Sequence, residues 1–455
     1  MAFTPQDLLK TLPDPAGNYV VGYSGGMDSH VLLQMMTSLM QEGWLTGTLR
    51  AVHVHHGLSE QADHWQRHCQ EVCKRLAVPL VCRKVMVSRD GAGLEQAARE
   101  ARMAVFMEVM EADDYLLTAH HQDDQMETLL FRLMRGTGVK GMAGIVRSRS
   151  LGTGTLFRPL LDYPRSVLEV YANSQGLSWI EDDSNADVDL DRNFLRHSIL
   201  PLLETRWPGY RKSWQRFAGL CADSERLQHD LGLMELAMFQ RPGNKLSVSD
   251  LLALPPYRRA NVLRSWFLKL EAELGLPVPD QQVILDIIAF VLPAREDASP
   301  VVSWQKAGKL FDVRRFGDTL SLLQPDDIAT AGQVIPWPGH ESLVLPGNLG
   351  TLSLEAASSH GFMVGEGDQL EVRFRMGGEK ARPIGRKTRS LKKWLQDFQV
   401  PPWERDRVPL VYLNGELTAV GDFFICESPS SGALPRNVKK MFRIQWQKPD
   451  LNCGS

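Results

Sequence analysis

The stretch Val20–Met36 reads VVGYSGGMDSHVLLQMM. An apolar run stops at Ser24-Gly25-Gly26, and apolar residues then resume at helical spacing. Two glycines between a strand and a helix suggest a turn built to hold an anion. Gly25 and Gly26 can take backbone angles closed to other residues, so successive N–H groups can converge on one point. A helix beginning near Asp28 adds the partial positive charge of its N-terminus, which makes phosphate the natural guest. Walker loops end in Gly-Lys-Ser/Thr, and no lysine stands here. An aspartate in that place repels phosphate unless Mg²⁺ lies between them. Asp28 therefore reads as a metal-holding carboxylate beside a pyrophosphate. The plainer alternative is an ordinary strand-to-helix turn capped by an aspartate.

Outward from this turn, apolar runs alternate with helical patterns as far as residue 205. Tyr19–Ser24, Leu49–Gly57 and Asp114–His121 read as strands, and His30–Met40 and Leu94–Met110 as helices. Such alternation predicts a parallel-sheet α/β fold for a nucleotide-binding domain over 1–210, punctuated by TRWPGY at Thr205–Tyr210. From Arg216 the pattern becomes helical: Phe217, Leu220, Leu227, Leu231, Met234 and Met238 recur at helix spacing, and Tyr257 opens a second such run. This predicts a mainly helical middle domain over 211–325, closing in a hairpin around Gly317-Asp318. Pro- and Gly-rich 326–369 reads as a linker with short strands, and 370–455 as a small, β-rich, basic domain.

The chain has 455 residues, enough for two or three cores rather than one. Its formal net charge of −3 means that any nucleic-acid surface must be a local patch. The N-terminus has no signal-peptide pattern, and no run of about eighteen apolar residues occurs, so a cytoplasmic setting without membrane attachment is expected. Six cysteines without close spacing fit reduced thiols. His53, His55, His56, His64, His68, Cys69 and Cys73 cluster in sequence and raise a zinc reading. Cys69 and Cys73 are a helical turn apart rather than a Cys-x-x-Cys knuckle, which favours buried cysteines in a core helix.

A second constellation, TAHHQDDQMETLL at Thr118–Leu130, follows an apolar strand. His120 then sits at a strand's carboxyl end, as Ser24 does, where open parallel sheets form their ligand crevice. Asp123, Asp124 and Glu127 share one face of the first turn of the next helix. Helix capping accounts for one or two acids, but not for two histidines and three acids together.

SGGMDS resembles the SGGxDS loop of the ATP-pyrophosphatase (PP-loop) superfamily, whose members cleave ATP between its α and β phosphates. HHQDDQMET, GAGLEQAAREAR from Gly91, RGTGVKGMAG from Arg135, FRPLL from Phe157 and DDSNADVDLDRNFLRHSILP from Asp182 resemble motifs of the bacterial tRNA(Ile)-lysidine synthetase family. The stretch from Val372 to Phe424 is similar to that family's C-terminal module. The resemblance implies a ligase that adenylates C2 of the wobble cytidine in tRNA(Ile) with a CAU anticodon. Free L-lysine then joins C2 to give lysidine, which changes codon reading from AUG to AUA. It implies an ATP site at Ser24, Gly25, Gly26, Met27, Asp28 and Ser29, with Mg²⁺ on Asp28. Free lysine has a pKa near ~10.4, so roughly one molecule in two thousand is a nucleophilic amine at neutral pH. A carboxylate that binds the ammonium and later takes its proton is needed, and Asp124 and Glu127, with His120 beside them, are the candidates. The middle domain is expected to contact tRNA. His55 stands where the family usually has asparagine, which leaves the role of that position open.

Arg192 and Arg196, four residues apart, either pair with the acidic run before them or reach an α-phosphate or tRNA phosphate; Arg99 and Arg102 have a similar claim. Between Glu371 and Arg407, eleven basic residues stand against five acidic ones. Leu391, Trp394, Leu395 and Phe398 form an apolar stripe there, leaving Lys392 and Lys393 outward. With Arg386, Lys387 and Arg389 these are either a solvated face or a set of tRNA phosphate contacts. A tRNA-thiolating enzyme of the same superfamily would need a persulfide cysteine or a cluster-binding Cys-x-x-Cys. A small-molecule amidating ligase would not need the basic module. A homodimer stays open.

Overall fold

The structure, a computed structural model, describes residues 3–57, 61–86, 94–181, 187–295, 298, 300–306, 308–324, 333–338, 341–347, 349–358, 361–365, 367–427 and 440–448. Gly91–Gly93 and Asp182–Ala186 of the quoted motifs lie outside these residues. The chain divides into two compact units, Met1–Leu227 and Gln228–Ser455.

In the first unit α1 (Pro5–Leu9) leads into β1 (Tyr19–Gly22), α2 (Met27–Gln41), β2 (Leu49–His55), α3 (Ala62–Leu76) and β3 (Leu80–Lys84). Then come α4 (Leu94–Val109), β4 (Tyr115–Leu117), α5 (Gln122–Met134), α6 (Val139–Met142), β5 (Ser148–Leu151), β6 (Gly154–Phe157) and α7 (Arg165–Ser174). The sheet order is β3-β2-β1-β4-β6-β5, parallel throughout except for the edge strand β5. The chain builds outward from β1 to β3, then returns to β1's other side with β4. That reversal opens a crevice at the carboxyl ends of β1 and β4.

Side chains of a strand alternate between faces, and both faces here are covered. Val20, Val52, Leu116 and Leu156 pack with Val105 and Phe106 of α4. Tyr19, Val21, Leu117 and Phe157 pack with α2 and with Leu168 of α7. Val31, Leu32, Leu33, Met35, Met36 and Leu39 of α2 are all fully buried, so this helix is enclosed nearly all round. Its N-terminus is thereby fixed at the carboxyl end of β1.

After α7 come α8 (Asp191–Phe194), a π-helical turn at Leu195–Ile199, α9 (Leu200–Arg206) and α10 (Tyr210–Phe239). The helix predicted from Phe217, Leu220, Leu227, Leu231, Met234 and Met238 is present as α10, but all six side chains are exposed. Its buried residues are instead Tyr210, Ala218 and Cys221 in the first unit and Gly232, Glu235 and Leu236 in the second. Apolar spacing identified the helix but not the face that packs.

The second unit begins with an antiparallel sheet. β7 (Gln240–Arg241), β8 (Lys245–Ser247), β9 (Val301–Lys306), β10 (Lys309–Phe316) and β11 (Thr319–Leu323) run in the order β7-β8-β11-β10-β9. Helices α11 (Val248–Ala253), α12 (Pro256–Leu274) and α13 (Gln281–Asp286) supply Leu251, Trp266, Phe267 and Ile284 to its core. The predicted hairpin is there: Phe316 pairs with Thr319 across a turn in which Gly317 has φ +56°.

The remaining strands form two further sheets. One is β12 (Val334–Trp337), β16 (Leu370–Arg373), β19 (Leu410–Leu413), β20 (Glu416–Val420) and β21 (Phe424–Ile425). The other is β13 (Leu343–Val344), β14 (Thr351–Ala356), β22 (Lys440–Gln447) and β15 (Phe362–Val364). Strands from 334–364 pair with β16 and β22, which ties that stretch into the C-terminal sheets. β17 (Lys380–Ala381) pairs with β18 (Arg389–Ser390) beside α14 (Leu391–Asp397), and Trp337, Trp394 and Trp446 are buried in the shared core.

Candidate active site and nucleic-acid interface

The glycine turn is held by its two serines. Ser29 Oγ accepts from the Ser24 amide at 3.2 Å, donates to the Gly26 carbonyl at 3.0 Å and lies 3.0 Å from Ser24 Oγ. The Gly26 amide in turn donates to Ser24 Oγ at 3.3 Å. Gly25 has φ +89°, and a Cβ there would lie 2.8 Å from Ile180 Cδ1 and 3.0 Å from Cys69 Sγ. Glycine is therefore needed for conformation and for space. Met27 is buried in the core, so it can offer a ligand only its backbone.

Asp28 stands in the first turn of α2 with one oxygen unsatisfied: Oδ1 is shut off from solvent and has no hydrogen-bond partner. Arg165 Nε is 3.8 Å from that oxygen. On the other side His121 Nε2 lies 3.6 Å from Asp28 Oδ2 and 3.6 Å from Asp124 Oδ2. His121 is the N-cap of α5, and its backbone N–H donates to Asp124 Oδ2 at 2.9 Å in a capping box. Burial opposes charge on His121, but Asp28, Asp124 and Asp123 outweigh it and raise its pKa. The capping that sequence alone could explain blandly thus also joins the two acidic clusters.

Glu127 lies a turn further along α5 and is only 3% exposed. Arg196 grips it in a fork, Nε to Oε1 at 2.6 Å and Nη2 to Oε2 at 3.1 Å, with Nη2 also 3.4 Å from Asp124 Oδ1. Burial pushes the Glu127 carboxyl up, against the pull of Arg196. Arg196 is carried by the π-helical turn, a local irregularity frequent at functional sites. Of the two readings of this arginine, the structure shows an ion pair, made with the acids of α5.

His120 faces elsewhere. Its Nδ1 is 3.0 Å from Thr118 Oγ1, and burial, then Arg158, Arg102 and Arg99, push its pKa down to about 3. A neutral imidazole of that pKa is a poor proton acceptor. The nearby guanidiniums make a cationic wall. Arg158, at the carboxyl end of β6 and 4% exposed, has its pKa lowered to about 10 by burial, then by Arg149 and Arg99. Its Nε is buried without a partner. Arg132, which donates to the Gly141 and Gly144 carbonyls at 2.8 and 2.9 Å, is lowered by burial, then by Arg99 and Arg192. Cations that disfavour one another's charge favour an anion between them. The sequence reading missed Arg158 as a site residue, although FRPLL ends a strand beside β4, and it missed Arg165 and Arg132 as well. Arg99 and Arg102 are the charges felt at His120, and Arg99 and Arg192 those felt at Arg132.

Asp123 is taken up structurally: Oδ2 accepts from the Arg165 amide at 2.7 Å and Oδ1 from Arg211 Nη2 at 2.9 Å. The histidine and cysteine cluster does not converge on one point: Cys69 Sγ lies 3.4 Å from His53 Nδ1, but His64 is exposed and His56 and His68 are half-buried. His53 Nδ1 lies 3.0 Å from the Tyr23 carbonyl oxygen, His55 Nε2 lies 3.0 Å from Asp63 Oδ1, and Cys69 and Cys73 are buried. Among the described residues no group of three or more His, Cys, Asp or Glu is placed to hold a metal ion. Burial drives the Cys73 thiol up to about 12 and the Cys69 thiol higher still, which keeps both from acting as thiolates. No helix among the described residues is long and apolar enough to cross a membrane.

In the second unit the loop between β17 and β18 is pinned to Trp394. The Arg386 and Arg389 guanidiniums lie 5.5 and 5.0 Å from its ring centroid, and the indole N–H donates to the Ala381 carbonyl at 3.0 Å. Arg389 also pairs with Asp397 at 2.7 Å. Arg386, Lys387, Arg389, Lys392 and Lys393 are all exposed.

Comparison with known proteins agrees over most of the chain. Residues 4–203 match the PP-loop domain family, 246–321 the TilS substrate binding domain and 370–446 the TilS substrate C-terminal domain. The tRNA(Ile)-lysidine synthase of Coxiella burnetii is 41% identical over 431 residues, covering 93% of each chain. That of Yersinia pseudotuberculosis is 37% identical over 446 residues, covering 94% of each. The Legionella pneumophila enzyme is 38% identical over 416 residues, covering 90% of this chain and 93% of its own. A glycine turn at the head of a parallel-sheet crevice, followed by matches to two TilS domains and likeness over at least nine-tenths of its length, places this chain in the tRNA(Ile)-lysidine synthase family.

Proposed function

We propose that the crevice at the carboxyl ends of β1, β4 and β6 runs both halves of lysidine formation on the wobble cytidine of a CAU-anticodon tRNA. In the first, the cytidine C2 oxygen attacks the α-phosphorus of ATP, and the bond to the β-phosphate oxygen breaks with its electron pair on departing pyrophosphate. In the second, the ε-amine of lysine attacks C2, the C2–O bond breaks with its electrons on AMP, and the amine gives up its proton. The observation that carries this reading is the run of contacts from Asp28 through His121 to Asp124, Arg196 and Glu127. It links the phosphate turn to a buried carboxylate able to take an ammonium and its proton.

The turn's amides and the cationic wall hold and neutralise the phosphates. Arg196 opposes the loss of charge that burial imposes on Glu127 and shares the two carboxylates on which the lysine ammonium docks. The unpartnered Oδ1 of Asp28 fits Mg²⁺, which takes one or two protein carboxylates and completes its shell with phosphate oxygens and water. When bound, that ion stabilises the charge building on the leaving pyrophosphate. The exposed cations of the C-terminal module hold tRNA phosphates. Thiolation is disfavoured by the buried, high-pKa thiols of Cys69 and Cys73, and simple amidation by the basic module.

The test is to incubate the full chain with CAU-anticodon tRNA, ATP, Mg²⁺ and labelled lysine. Release of pyrophosphate and AMP, with label in the tRNA and lysidine among its nucleosides, is expected. ADP as the nucleotide product would overturn the reading. Asp28→Asn should bind tRNA but lose adenylation.

A further inference from the structure

The C-terminal part of the second unit holds a cavity of ≈ 400 Å³ that none of the chemistry above uses. Phe398, Phe423, Phe424 and Ile384 line it, with Arg386, Arg443 and Asp422 also in its wall. The Phe398 ring stacks on Phe424 at 5.4 Å between centroids and lies 5.9 Å from Phe423. Phe398 and Ile384 remain 36% and 55% exposed, so an apolar, aromatic surface faces water between cations. Ring faces bordered by guanidiniums select a flat conjugated group carrying negative charge. The volume is at the small end for ligand sites and suits one nucleotide. Beyond Arg386 the chain carries Lys387, Arg389, Lys392 and Lys393, all exposed, which are more cations than a mononucleotide's phosphates would engage. A polynucleotide strand matches that charge distribution; a free nucleotide does not.

We propose that this cavity takes one unpaired nucleobase of the RNA substrate, stacked against Phe398 and Phe424, with its flanking phosphates on Arg386 and Arg443. The proposal rests on the reading of the C-terminal module as an RNA surface. Arg443 now pairs with Glu355 at 2.7 Å, an exposed contact that a phosphate can displace.

The test uses the full chain and intact tRNA. Phe398→Leu keeps the apolar volume but removes the ring face; it should weaken binding roughly ten-fold without changing the salt slope. Phe398→Trp should restore affinity. Ile384→Ser, at an exposed position, should weaken binding without any risk to the core. Nucleotide-resolution probing should show one unpaired tRNA position protected by the wild type and reactive with Phe398→Leu. If Phe398→Leu and Ile384→Ser bind normally while Arg386→Gln flattens the salt dependence, the cavity is idle and the RNA surface stands. If none of these variants, nor the Lys392 and Lys393 changes, alters binding, the C-terminal reading fails with it. AMP binding that Phe398→Leu abolishes, with tRNA binding intact, would make the cavity a mononucleotide site and overturn the proposal.

Discussion

Arg196 decides what Glu127 can do. A carboxylate 3% exposed would ordinarily give up its charge, and burial does push Glu127 toward the neutral form. The guanidinium fork opposes that, so a negative group is kept in reserve where a lysine ammonium must arrive. Glu127→Gln preserves shape and removes the charge. Lysine transfer should then fall roughly 10²-fold or more, while adenylation of tRNA falls far less, so that adenylated tRNA accumulates in single-turnover assays. Equal losses in both steps would place Glu127 on the adenylation step instead. His30 offers a test of a different kind. It is fully buried, its Nδ1 lies 2.9 Å from the Ser178 carbonyl oxygen, and burial lowers its pKa to about 4. Between about pH 6.5 and 4 the unfolded chain binds a proton there that the folded chain refuses. Stability from this group is thus full above pH 6.5 and falls on acidification by about 1.4 kcal/mol per pH unit. His30→Asn keeps a donor for Ser178 and cannot titrate, so its thermal midpoint should depend less on pH in that window; an unchanged dependence would refute a buried neutral His30.

At the scale of elements, the turn between β1 and α2 separates its two glycines. Gly25 takes a positive φ, and an added Cβ would strike Ile180 and Cys69, whereas a Cβ on Gly26 would meet only Ser24 Oγ at 3.5 Å. Gly25→Ala should therefore lower the unfolding midpoint and ATP affinity together, with strain of about 1–3 kcal/mol. Gly26→Ala should keep the midpoint within a degree or two of wild type, as ordinary substitutions of about 0.5 kcal/mol do. Similar losses from both would mean that the turn is set by something other than this packing. Helix α10 teaches the opposite lesson about legibility. Its presence was readable from the recurrence of apolar residues, yet those residues are exposed, because a helix buries whichever face its neighbours offer.

Over the whole molecule, charge is divided between places rather than spread. A chain of net charge −3 carries exposed lysines and arginines in a short C-terminal run. Replacing Lys392 and Lys393 together with glutamine should weaken tRNA binding and flatten its salt dependence, by ~0.9 in logarithmic slope for each duplex phosphate no longer neutralised. Turnover of saturating tRNA should barely change; normal binding at every salt concentration would reduce the run to a solvated face. The strand–turn–helix at Ser24–Ser29, the parallel α/β alternation and the gathering of acids in Thr118–Leu130 were legible in the residues alone. These are local patterns, written in residues close along the chain. Folding alone settled that His121 rather than His120 meets Asp28, that Arg196 holds Glu127, and that Arg158 and Arg132 both feel the charge of Arg99. Each of those depends on which strand ends become neighbours when β4 inserts between β1 and β6, and on what burial then does to charge. Spacing along a chain carries no record of either.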